Sequence, residues 1–95
     1  MRLLWSPRAR SARTAAIDYI ARDKPQAALD QLDAIEEQVR ILEDHPSIGR
    51  PGRVHGTREL VISRTPFILV YRVDDEAIRI LHFLHGAQRW PPAVE

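Results

Sequence analysis

Thr57-Arg58-Glu59-Leu60-Val61-Ile62-Ser63-Arg64, Thr65-Pro66, Phe67-Ile68-Leu69-Val70-Tyr71-Arg72-Val73, Asp74-Asp75-Glu76, Ala77-Ile78-Arg79-Ile80-Leu81-His82-Phe83-Leu84 is the stretch that decides the fold. Three runs rich in Val, Ile, Phe and Tyr are separated by two turn-like breaks, the pattern of an antiparallel meander. The middle run, Phe67 to Val73, is apolar on both faces except at Arg72. A strand without a polar face belongs mid-sheet, covered on both sides. Side chains alternate along a strand, so Phe67, Leu69, Tyr71 and Val73 point one way, and Ile68 and Val70 the other.

The residues before the meander supply one cover. Residues 2–5 read as a short strand. Ser6-Pro7 then offers a capping hydroxyl and a proline suited to the first helical position. The first helix is expected from about Pro7 to Arg22, with Ala9, Ala12, Ala16, Ile17 and Ile20 on one face. Asp23-Lys24-Pro25 breaks and restarts the chain. A second helix from about Pro25 to Asp44 repeats Ala28, Leu32, Ile35, Val39 and Leu42 at spacings of four and three, with Leu29 widening the stripe. So short a link folds the two helices back as a hairpin. His45 to Gly56 is too rich in Pro and Gly for a regular element. The expected fold is α+β: an N-terminal strand and a two-helix hairpin packed on a small antiparallel sheet, in the order β-α-α-β-β-β. It forms one domain over residues 1–95, with 85–95 as a C-terminal tail.

Ninety-five residues allow one core between two layers and bury only about 60–65% of the unfolded surface. The chain has no cysteine, which removes disulfides and thiolate metal sites. The apolar start Leu3-Leu4-Trp5 is too short for a signal peptide or a membrane span, so a cytoplasmic protein is expected. Net charge is near zero but uneven. Lys24 to Ile48 is acidic through Asp30, Asp33, Glu36, Glu37, Glu43 and Asp44. Gly49 to Val73 carries Arg50, Arg53, Arg58, Arg64 and Arg72 against Glu59 alone.

Because helices cover one side of the sheet, Ile68 and Val70 are expected to form an open apolar patch flanked by arginines, the mark of a partner site. Trp90 serves either as a lid on the core or as a partner anchor. His82 shares the parity of Ile78 and Ile80 and reads as a core histidine. His85, just past the strand end, is the one histidine placed for chemistry. His45 and His55 read as solvated loop residues. Four histidines without clustered carboxylates give no metal spacing, and no cofactor is expected.

Five strings, in order, resemble the RelE/ParE superfamily of bacterial toxins: His45-Pro46-Ser47-Ile48-Gly49-Arg50-Pro51, Gly56-Thr57-Arg58-Glu59-Leu60-Val61, Leu69-Val70-Tyr71-Arg72-Val73, Ile80-Leu81-His82-Phe83-Leu84-His85-Gly86-Ala87 and Arg89-Trp90-Pro91. The resemblance implies the toxin component of a type II toxin–antitoxin module, in a hetero-oligomer with a cognate antitoxin. Ile68, Val70 and Arg72 are the expected antitoxin-binding residues. RelE-like members look like ribosome-dependent nucleases of messenger RNA. Most of their catalytic set is missing here: Ile68 stands where a basic residue precedes the Leu-Val-Tyr string, and His85 is the only catalytic candidate. Whether the chain is an enzyme stays open at this stage; if it is, the activity is a metal-independent ribonuclease. The Gly86-Ala87-Gln88-Arg89-Trp90-Pro91 ending is similar to the ParE branch, which implies inhibition of DNA gyrase. Arg58, Arg64, Arg72, Arg79, Arg89 and Trp90 are the expected target-binding residues. An inactive, antitoxin-binding partner is the third alternative.

Overall fold

The computed structural model describes residues 1–86 and 88–92; of the expected tail, Ala87 and residues 93–95 lie outside the described residues. The elements run β1 (Arg2–Trp5), α1 (Pro7–Ala21), α2 (Pro25–Asp44), β2 (Arg50–Pro51), β3 (Arg58–Val61), β4 (Phe67–Val73) and β5 (Ala77–His85). They build one five-stranded sheet in the order β1-β5-β4-β3-β2, with the helical hairpin on one face. The β-α-α-β-β-β plan holds with two amendments. β1 pairs with β5 in parallel, so the sheet is mixed rather than wholly antiparallel. The Pro/Gly loop contributes a two-residue strand, β2, where no regular element is expected. It is an edge, where Pro51, lacking an N–H, is tolerated.

Local chemistry starts and stops the helices as the sequence implies. The Ser6 hydroxyl accepts the Ala9 N–H at 3.1 Å, and Pro7 opens α1. The same hydroxyl donates to the Leu81 carbonyl at 3.0 Å, so one side chain caps α1 and ties it to β5. Pro25 opens α2. Ala28, Ile35, Val39 and Leu42 are buried, joined by Ala34; all but Ala28 pack with Ala9 on Ile62, Phe67, Leu69, Tyr71, Ile78, Ile80 and Phe83. Leu29 does not widen the stripe; it is 56% exposed. One residue beyond Ala28 is a rotation of about 100°, which carries it off the buried face.

Tyr71 joins the core to the loop. Its ring is fully buried, and its hydroxyl donates to the Pro46 carbonyl at 2.8 Å while accepting the Gly49 N–H at 2.9 Å. Burial raises the phenol's pKa, so the hydroxyl keeps its proton and both bonds. A Cβ at Gly49 would lie 2.5 Å from that oxygen, which is why glycine stands there. Tyr71→Phe strands a buried donor and a buried acceptor at once. The variant should lose about 1–3 kcal/mol in urea unfolding, with faster hydrogen exchange confined to residues 45–57.

Candidate target and partner surfaces

β4 sits between β3 and β5, and its two faces have different covers. The helices cover Phe67, Leu69 and Tyr71. The second face is not open. Ile68, Val70 and Leu84 form their own buried cluster, with Val70 at 0% exposure, and Trp90 packs across them. The expected bare patch at Ile68 and Val70 is therefore corrected: the chain's own tail returns under the sheet as a strap and seals it. The cover is thin. The Trp90 indole nitrogen is buried without a hydrogen-bond partner.

A β-bulge explains a second correction. Val70 pairs with His82 but Tyr71 pairs with Ile80, leaving Leu81 as an extra residue. The bulge reverses side-chain parity. His82 therefore leaves the Ile78/Ile80 side and faces Trp90, ring centroids 4.3 Å apart. Burial, then the positive charge of Arg8, lowers its pKa, which keeps the ring neutral beside the indole. Phe83 takes the helix-side place. The freed Leu81 carbonyl is the one that Ser6 engages.

The arginines scatter rather than converge. Arg72 and Arg79 are direct partners across β4 and β5, on the strap side. Arg79 pairs with Asp74, which also accepts the backbone N–H groups of Glu76 and Ala77. The Arg79 guanidinium, helped by those amides, holds the Asp74 carboxyl at about 2. Arg58 turns the other way and donates to the carbonyls of Ser47 and Gly49, so it is spent on the loop. Arg64, at the β3–β4 turn with a left-handed φ of 67°, pairs with Glu37 of α2 at 3.2 Å. Arg89 is exposed in the strap. His85 lies on the helix side against Phe67, across the sheet from Arg72 and Arg79. The structure thus places Arg72, Arg79 and Trp90 on the strap side, and Arg58 and His85 on the helix side. Among the described residues, no group of three His, Cys, Asp or Glu is placed to hold a metal ion, and no helix is long and apolar enough to cross a membrane.

Sequence reasoning missed a buried ion cluster at Glu59. The Glu59 carboxylate is 0% exposed. It accepts from Arg50 at 3.0 Å, from the Arg53 guanidinium at 2.9 Å and from the Arg53 backbone N–H at 2.9 Å. Burial pushes its pKa up, but the hydrogen bonds from Arg53 and Arg50 outweigh that and hold it at about 2. The signal was present: Glu59 is the only acid among five arginines.

Glu59→Gln removes half of this buried pairing. The expected loss lies at the low end of the ~3–5 kcal/mol for breaking a buried ion pair, because both guanidinium groups are half in water. The folded pKa is depressed, so Glu59's contribution is present above pH 4.5 and fades as pH falls towards 2. Acid unfolding of the wild type should steepen in that window, and the variant's profile should be flatter there. Trp90→Ala bares the Ile68/Val70/Leu84 cluster. It should cost about 2–3 kcal/mol and raise binding of an apolar dye.

The sequence profile described as "ParE toxin of type II toxin-antitoxin system, parDE" matches residues 3–90. The candidate toxin Y4kP of Sinorhizobium fredii is 38% identical over 93 residues, covering 98% of this chain and 96% of that protein. The solved "Chromosomal ParDE TA system from P. aeruginosa" contains a chain with a TM-score of 0.80 and 33% identity, over 90% of this chain and 95% of that one. The YoeB dimer from Staphylococcus aureus shares the fold, with a TM-score of 0.53 and 21% identity over 86% of this chain and 92% of that one.

Proposed function

Because this chain belongs to the ParE toxin family of type II toxin–antitoxin systems, we propose that it arrests growth by inhibiting DNA gyrase in the cytosol, and that a cognate antitoxin holds it silent. The similarity to a chain of the P. aeruginosa ParDE system supports a dedicated partner.

The observation that carries gyrase over messenger RNA is the separation of His85 from the cations. A metal-independent ribonuclease needs a base, an acid and phosphate-holding cations around one reacting phosphate. His85 lies on the helix side of the sheet, while Arg72 and Arg79 occupy the strap side. Arg58 is already engaged by two carbonyls of its own chain. An inhibitor that binds its target needs no such convergence. Arg72, Arg79, Arg89 and Trp90 are then the target contacts, a cationic margin around one large aromatic, which suits a protein interface.

The decisive measurement runs supercoiling by purified gyrase and cell-free translation side by side. The toxin should block supercoiling at near-stoichiometric amounts and leave translation untouched. His85→Ala should inhibit as well as the wild type, and Arg72→Ala should need about tenfold more protein, as for the loss of one ~1.4 kcal/mol contact. Intact supercoiling with blocked translation, restored by His85→Ala, would overturn the gyrase assignment in favour of the nuclease.

A further inference from the structure

Glu59 points to the strap side of β3, level with Arg50 of β2 and Val70 of β4. Its carboxylate is buried, and Nη2 of Arg50 and Nη2 of Arg53 reach the same oxygen, Oε1, at 3.0 and 2.9 Å. Arg53 also turns its Nε towards both oxygens at 3.2 Å. One carboxylate therefore braces two guanidinium groups, and one positive charge is left over. A single arginine would neutralise Glu59. The second sets like charges side by side at the surface, an arrangement that favours the arrival of another anion. Both side chains are about half exposed. Among the described residues, Nε and Nη1 of Arg50 and Nη1 of Arg53 make no hydrogen bond, so fixed donors face outward beside the brace.

The row continues across the sheet. Arg72 of β4 is exposed on the same side, and its Nε leans to the Gly56 carbonyl at 3.5 Å, in the loop that carries Arg53. Arg79 of β5 stands directly opposite Arg72. Like charges placed so are destabilising. Asp74 pairs with Arg79, and among the described residues no acid pairs with Arg72. We infer that Arg50, Arg53, Arg72 and Arg79 form a phosphate-binding track that holds the backbone of DNA. A guanidinium edge matches two phosphate oxygens at once, which suits the free edges of Arg50 and Arg53. With strands about 4.8 Å apart, the row from β2 to β5 covers about 16 Å. One DNA strand carries a phosphate every ~3.4 Å along its axis, so four or five lie within that reach. An acidic protein would have to place its carboxylates at these intervals; a nucleic-acid strand repeats its charges by construction. Phosphate contacts carry no sequence information, so the track has no base preference. The choice of DNA rests on the gyrase reading: the toxin grips the enzyme and the DNA it handles together.

The test is fluorescence anisotropy of the full-length toxin with a labelled duplex of about 20 base pairs, without gyrase, over a salt series. Binding should be independent of sequence, with log K falling against log salt at a slope of about −3. Arg50→Ala, which leaves Glu59 held by Arg53, should weaken binding several-fold and reduce the slope by about one, and Arg72→Ala should do the same. Arg40→Ala, which removes an equal charge from an exposed position on α2, should change neither. Glu59→Gln separates a built site from loose attraction. It adds one net positive charge, so bulk attraction alone tightens binding, whereas arginines without their brace hold phosphate less well. Weaker binding is expected, with circular dichroism confirming the fold. Wild-type affinity in both Arg50→Ala and Arg72→Ala, or tighter binding by Glu59→Gln, overturns the track. Tighter binding of a polyglutamate peptide than of the duplex overturns phosphate as the ligand, and tighter binding of single-stranded RNA overturns DNA. No DNA binding, with supercoiling still blocked, overturns the track and leaves the gyrase reading standing. DNA binding with supercoiling intact overturns the gyrase reading and leaves the track.

Discussion

Strand β4 has no wet face, and the rest of the molecule answers that constraint. Six of its seven side chains are apolar or aromatic, and five consecutive residues from Phe67 to Tyr71 are buried. A two-layer protein normally wets one side of its sheet. Here the helical hairpin dries one side and a strap of a few residues dries the other. The covers are unequal. The hairpin brings two helices and most of the core; the strap brings Trp90, a single indole with an unsatisfied nitrogen. At about 25 cal/mol per Å² of apolar area, the strap contributes a few kcal/mol, a sizeable fraction of what a small domain has to spare.

The polar interactions serve the same strand from its margins. Tyr71 puts its ring into the core and its hydroxyl into the loop, so packing and loop geometry are fixed together. Val70's neighbour across the sheet is Glu59, whose buried carboxylate draws in Arg50 and Arg53 and closes the β2 edge. Ser6 caps α1 and holds the bulged carbonyl of Leu81, linking the first turn of helix to the last strand. The Tyr71 and Ser6–Leu81 contacts cross between elements far apart in sequence, while Glu59 ties β3 to the loop just before it. Together they tie loop, edge and helix to the central strands.

That long-range character decides what could be read from the residues alone. The helices were legible because Ser6, Pro7, Pro25 and the Ile35/Val39/Leu42 stripe are local signals with a fixed period. β1, β3, β4 and β5 were legible for the same reason, whereas the two-residue β2 lies in a Pro/Gly-rich loop that carries no strand pattern. The side taken by His82 was not, because it depends on a single extra residue, Leu81, and a bulge leaves no mark in a pattern of period two. The cover over Ile68 and Val70 was only half legible: Trp90 was visible as a candidate lid, but nothing local says where a proline-bound tail returns. Arginine content was legible, but arginine direction was not. Arg58 and Arg72 look alike in the sequence, yet one closes a loop and the other lies on the sheet beside Arg79.

The strap also runs from one side of the sheet to the other. Gln88, at its root, lines a groove beside α1, and Trp90, two residues on, lies across the opposite side of the sheet. The Gln88 backbone N–H is tied to the His85 carbonyl, and its side-chain oxygen accepts the His85 N–H, so the root is held to the end of β5. The strap is thus held at its root to the end of β5 and packed at Trp90 against the opposite side of the sheet, with the edge of one sheet between the two anchor points.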